Sequence, residues 1–193
     1  GIAAATADCM GDDAEREVAC GGDASAVADD DVVAAGKRSA AAAFAALPVQ
    51  DQSVRTERNM SLDMAGQLAA ATVAACSANN YNVSAVVVDR AGITRAALRA
   101  DNAGPHTLES ARQKAYTSAS ARNTTTAIME GSQKNPAAAN LNQIPGFLLL
   151  GGGVPVKVGD EVIGAVGVGG APGGHLDEQC AMAGLEKVAS LLK

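Results

Sequence analysis

Residues 151–181 read GGGVPVKVGDEVIGAVGVGGAPGGHLDEQCA. Two short apolar runs, VPVKV (154–158) and EVIGAVGV (161–168), flank Gly159-Asp160, a turn dipeptide, and so predict a β-hairpin. The glycine-rich run Gly169–Gly174 follows and ends at His175, one of only two histidines in the chain. Asp177 is placed to cap a final helix over 177–192. Glycine costs backbone entropy and adds nothing to a core, so a chain that concentrates it brings its backbone close to a packed neighbour or to a ligand.

Working outward, VSAVVVD (83–89), the turn Arg90-Ala91-Gly92 and ITRAALRAD (93–101) predict a second hairpin, with apolar and polar positions alternating. Ser61 is expected to cap a helix whose apolar face runs through Met64, Leu68, Ala71 and Ala75 to about Asn79. Thr107 is expected to cap another from 108 to about 122, with Glu109 near its positive end, and a short helix follows at 124–132. A loop holding Pro136 and Pro145 then leads to FLLL (147–150). Hairpins imply antiparallel pairing, so the fold class is α+β: an antiparallel β-sheet flanked by α-helices, preceded by an extra N-terminal arm and an Ala-rich helix over 29–46.

Aromatic residues are 2% of the 193 and tryptophan is absent, so the core is built from Ala, Val, Leu and Ile and depends on close packing. The net charge of −6 conceals a division. Residues 1–31 carry nine acids and one base, a net −8; the other 12 acids and 14 bases leave the body at +2. Such an arm reads as a solvated surface or as a docking tail for a partner protein. The small basic excess, with no Lys/Arg run interleaved with aromatics, argues against nucleic-acid binding. No apolar run is long enough to span a membrane. The first residues lack the basic start and apolar stretch of a signal peptide, and the chain opens on Gly1. Cys9, Cys20, Cys76 and Cys180 form no metal-binding pair. Their even number gives the expectation of two disulfides, Cys9–Cys20 stapling the arm and Cys76–Cys180 joining two helices, in a periplasmic or extracellular protein. Buried free thiols at Cys76 and Cys180 are the alternative.

The second informative stretch is RADNAGPHTLESARQKAYTSASARNTTT, residues 99–126. On a helix His106, Ser110, Gln113 and Thr117 fall near one stripe, and Arg112 and Tyr116 form a neighbouring pair. No Ser-His-Asp or Cys-His spacing supports nucleophilic catalysis, and the glycine runs lack the G-K-[ST] ending of a phosphate loop.

DNAGPH (101–106) followed by KAYTSA (114–119), then GGGVPV, EVIGAVGVGG and the C-terminal D-x-x-C-A, resembles the HbpS/GlcG-type haem-binding family, also called haem-degrading. The resemblance implies division into an arm, helix and linker (1–58) and a haem-binding domain (59–193). It also implies assembly into homo-oligomers and binding of haem b at the helix that bears KAYTSA. Carried onto this sequence it brings Thr117 forward as a hydroxyl linked to iron, with Lys114 and Tyr116 beside it; Arg112 and Gln113 join them from their places on the same helix. His106 is chemically the better iron ligand. Eleven helical residues separate it from Thr117 by roughly 16 Å, so one iron cannot take both from one chain. Arg95, Arg99, Arg112, Lys114 and Arg122 are available for the haem propionates. His175 enters as a further cofactor contact, with the glycine-run amides as an anion cradle. Haem sequestration, transport or sensing is the function implied. A cofactor-free accessory subunit, assembling through its Ala/Gly-rich surfaces and its arm, is the alternative, and a small anionic metabolite at the glycine turn a further one.

Overall fold

A computed structural model of the protein describes residues 54–193. The acidic arm, the helix expected over 29–46 and the Cys9–Cys20 pairing lie outside the described residues. Thr56–Lys193 form one compact unit.

The sheet is the α+β frame the hairpins imply. Its strands are β1 (Ser84–Asp89), β2 (Thr94–Arg99), β3 (Gly153–Val158) and β4 (Glu161–Gly169), in the order β2-β1-β4-β3, with every neighbour antiparallel. Each hairpin is closed as its turn residues dictate. Gly92 and Gly159 take positive φ, and Asp89 Oδ1 accepts from the N–H groups of Ala91 and Ile93. The alternation read in β1 does not separate core from solvent. The strand is central and buried on both faces, whereas edge strand β2 is almost wholly exposed.

Four helices complete the unit: α1 (Leu62–Ser77), α2 (Thr107–Ala121), α3 (Thr125–Lys134) and α4 (Gly174–Val188). Ser61 caps α1 by accepting from Met64 N. Helices α1 and α4 pack on each other over one face of the sheet. There Leu68, Val83, Val87, Val166, Val168 and Ala181 form the main core. Burying a valine or leucine contributes about 1.5–3 kcal/mol, so this aliphatic layer replaces the missing aromatic rings. The Cys76–Cys180 disulfide joins the two helices across a Cα–Cα distance of 5.2 Å. It closes a sequence separation of 104 residues, a loop for which chain entropy gives about 4–5 kcal/mol.

The other face carries α2, on a layer of Val86, Val88, Ala111, Ala115 and Ala165, with Thr125 at the start of α3 accepting from Gly153 N. Here the glycines find their use. A Cβ on Gly167 would stand 2.1 Å from the Ala111 carbonyl oxygen, and one on Gly153 2.4 Å from that of Lys114. The helix backbone therefore lies directly against the strand backbones. Its N-terminus is pinned by a buried Ser84–Thr107 hydroxyl pair at 2.8 Å, and Thr107 Oγ1 also donates to Gly104 O.

Two boundaries differ from expectation. Thr107 is the first helical residue of α2, and His106, at the N-cap position, makes no side-chain capping bond. Helix α4 starts at Gly174, so Asp177 lies inside its first turn instead of capping it. Its carboxylate is drawn away by Lys114 and by Ala171 N. FLLL (147–150) is irregular, and Leu148 N donates to the Thr117 hydroxyl. It follows a 3₁₀ segment, Pro136–Gln143, within the loop.

The helix–sheet contact gives a paired prediction. Gly167→Ala forces α2 off the sheet and is expected to cost about 3 kcal/mol or more. Gly66→Ala, inside α1 with nothing within 4 Å of the new methyl, is expected to stabilise by about 0.5–1 kcal/mol. Urea unfolding of the two variants against wild type measures both; a tolerated Gly167→Ala would contradict the close contact.

Candidate functional site

Helix α2 is positioned so tightly that one of its long side chains can pass the end of the sheet. Lys114 is 2% exposed. Its ammonium donates to Asp177 Oδ2 at 2.7 Å and to Val168 O at 2.9 Å. Asp177 Oδ1 accepts from Ala171 N at 3.0 Å. One ion pair thus ties α2, the end of β4, the glycine turn and α4 together. Burial pushes the Asp177 carboxyl above its ordinary range, against the opposing pull of the Lys114 ammonium.

Over this pair opens a cleft of about 580 Å³. Its walls are the α1–β1 connection (Asn80, Tyr81, Asn82), the β2–α2 turn (Asn102, Gly104), the start of α2, Leu150 and the turn Gly169–Gly174. The turn is held close by its own glycines. Gly170, at φ +125°, sits where a Cβ would meet the Asn82 carbonyl oxygen at 2.6 Å. Gly169 leaves the room that Ser110 Oγ occupies.

His106 lines this cleft from an exposed position, its ring folded over Gly104. The α2 residues that face the cleft are His106, Thr107, Ser110 and Lys114, so the line from His106 turns toward Lys114 instead of Gln113 and Thr117. Thr117 is fully buried; its hydroxyl donates to Gln113 O and accepts from Leu148 N, each at 2.8 Å. Tyr116 packs edge-on against Phe147, with ring centroids 6.1 Å apart, in a seat formed by Gly92 and Gly146. Arg112 holds Glu109 through two hydrogen bonds, and with Gln113 it keeps the Glu109 carboxyl below its usual range. Arg95 pairs with Asp89, and Arg99 donates to Ala103 O.

His175 is exposed on the first turn of α4 and lines a different, shallower cleft of about 390 Å³ with Thr126, Glu178 and Met182. The sequence reading missed Asn80, Tyr81, Asn82 and Asn102, which become neighbours of the glycine turn only once β1 pairs with β4. Among the described residues no group of three or more His, Cys, Asp or Glu is placed to hold a bare metal ion. None of their helices is long and apolar enough to cross a membrane.

Residues 60–186 match the family described as haem degrading protein HbpS-like. The chain belongs to the HbpS-like family. It is 34% identical to protein GlcG of Escherichia coli over 115 residues, 60% of this chain and 84% of that protein. A double mutant of HbpS from Streptomyces reticuli superposes with a TM-score of 0.65 at 38% identity, covering 77% of this chain and 98% of that one. The PduOC:haem complex shares the fold at 21% identity and a TM-score of 0.59, over 66% of this chain and 94% of that one. Membership associates this HbpS-like chain with haem.

Whether the residues present suit haem is a matter of donor chemistry. The cleft offers one accessible imidazole without a capping bond, amide donors for carboxylates, and Tyr81 and Leu150 as apolar contacts. That set fits a haem ligated by one nitrogen. Thr117, with its proton and a lone pair both engaged, offers no comparable approach.

The ion pair yields a prediction. Lys114→Met leaves a buried carboxylate unpaired and is expected to cost about 3–5 kcal/mol. Combining it with Asp177→Asn, which keeps an acceptor for Ala171 N, should cost less than Lys114→Met alone. Urea unfolding of the two single variants and the double decides this; purely additive losses would contradict a coupled pair.

Proposed function

We propose that this chain is a haem-binding protein, taking haem b in the cleft beneath His106 and working as a homo-oligomer outside the cytoplasm. The observation that carries the reading is the placement of His106. In a family associated with haem, an accessible imidazole without a capping bond stands at the rim of a cleft of about 580 Å³. Haem there would bring its iron's ligand and redox chemistry. The chain's own part is to present the imidazole, to hold the glycine turn in place through Lys114 and Asp177, and to receive carboxylates among the amides.

Assembly is supported by the stretch 122–150. It forms α3 and the 3₁₀ segment, yet Thr125 is its sole buried residue, and Ile128, Met129, Ile144, Phe147 and Leu150 stay half-buried or exposed. Apolar side chains gathered this way favour a covering partner, and the family resemblance favours a second copy of the chain. The Cys76–Cys180 bond supports an oxidising compartment, periplasmic or extracellular.

The test is a haem titration followed by its absorption band, with wild type, His106→Ala and Thr117→Val. His106→Ala is expected to weaken binding at least tenfold and to alter the band. Thr117→Val should leave affinity within about twofold while lowering stability by about 1–2 kcal/mol, because Leu148 N loses its acceptor. Binding indifferent to His106→Ala would reject the assignment. Absence of binding by wild type would favour the cofactor-free accessory subunit.

A further inference from the structure

The cleft is more polar than an iron ligand and a porphyrin face require. Asn80 and Asn82 reach it from one connection and Asn102 from another, and their side chains make no hydrogen bond within the described fold. They stand around the turn Gly169–Gly174, whose approach to Asn82 depends on glycine at 170. Beneath them lies Lys114, almost wholly buried. Two of its three ammonium hydrogens are used, by Asp177 and Val168 O, and it still lines the cleft. The nearby acid does not oppose an incoming anion with a free charge. One Asp177 oxygen is held by Lys114 and the other by Ala171 N, so its charge is compensated inside the wall.

We propose that the wall formed by Asn82, Asn102 and the Gly169–Gly174 turn is a carboxylate subsite. It receives a propionate when haem is bound, and on its own it recognises a small free carboxylic acid. Carboxamide N–H groups and backbone amides suit a carboxylate because it accepts hydrogen bonds through both oxygens and donates none. The donors are neutral and their partner charges are already balanced, so the subsite selects by hydrogen bonding. Aryl, ester or amide groups of similar size, which lack a second strong acceptor, are discriminated against. This rests on the haem reading for its first half and is independent of it for its second.

The experiment compares haem with haem dimethyl ester, in which both carboxylates are capped, on the full chain and on Asn82→Leu/Asn102→Leu. Both asparagines are exposed, so the fold should tolerate the change. The ester is expected to bind wild type at least tenfold more weakly than haem. The double variant should bring haem down to the ester's affinity while leaving the ester's own affinity unchanged. Equal binding of haem and ester, or equal weakening of both by the variant, overturns the propionate subsite while leaving His106 ligation standing. Should neither porphyrin bind, the haem function fails and the subsite is judged by titrating succinate against the side-chain amide resonances of Asn82 and Asn102. Saturable shifts, absent with succinamide, uphold it; no shifts overturn it.

Discussion

The structure depends on a contact between backbones. Where a helix usually rides on a sheet through two layers of side chains, α2 meets β3 and β4 at Gly153, Gly167 and Gly169, with Ala111 and Ala115 opposite. The gain is dispersion contact at close range over a core with few large side chains, and the cost is intolerance of any added methyl at those points. A consequence reaches beyond stability. Held this close, α2 lets the Lys114 side chain pass the end of the sheet and meet Asp177 on the far layer.

That ion pair is a poor source of net stability, since desolvating both charges offsets most of their attraction. Its value is in specification. It works only if α2, the Val168 carbonyl of β4 and the first turn of α4 occupy one arrangement, and the Cys76–Cys180 bond one turn further along α4 ties the same helix to α1. Between these two restraints the glycine turn has little freedom, and a cleft wall made largely of backbone can keep a definite shape.

Much of the frame was legible in the sequence because it is encoded locally. Gly92 and Gly159 announce their turns, Ser61 its cap, and short apolar or alternating runs the four strands. The Cys76–Cys180 bond decides between the two readings that the helix positions left open, a disulfide and a pair of buried thiols. The site was less legible because its parts are local to nothing. Asn80 and Asn82 carry no motif, Asn102 sits within DNAGPH without a role of its own, and they meet the glycine turn only through the pairing of β1 with β4. Asp177 looked like a cap because its position in sequence is that of a cap; a buried lysine 63 residues away decides otherwise. Lys114, grouped in sequence with Tyr116, points away from it, since positions two apart on a helix diverge by about 200°: Lys114 lines the cleft and Tyr116 packs on Phe147.

The polarity of the cleft bears on how one chain could hold a macrocycle that is apolar over most of its area. On the proposed reading a polar wall would serve the carboxylate edge and His106 the iron, while in this cleft the apolar contact comes from Tyr81, Leu150, Ala171 and Pro172. Leu150 is also the end of the poorly buried stretch 122–150, so the apolar surface that awaits a cover runs up to the rim of the cleft. A haem seated by its polar edge would lie at the border of that surface. On the proposed reading its exposed face and the chain's exposed side chains would be covered by the same event, and assembly and cofactor retention would then be thermodynamically linked, each strengthening with the other.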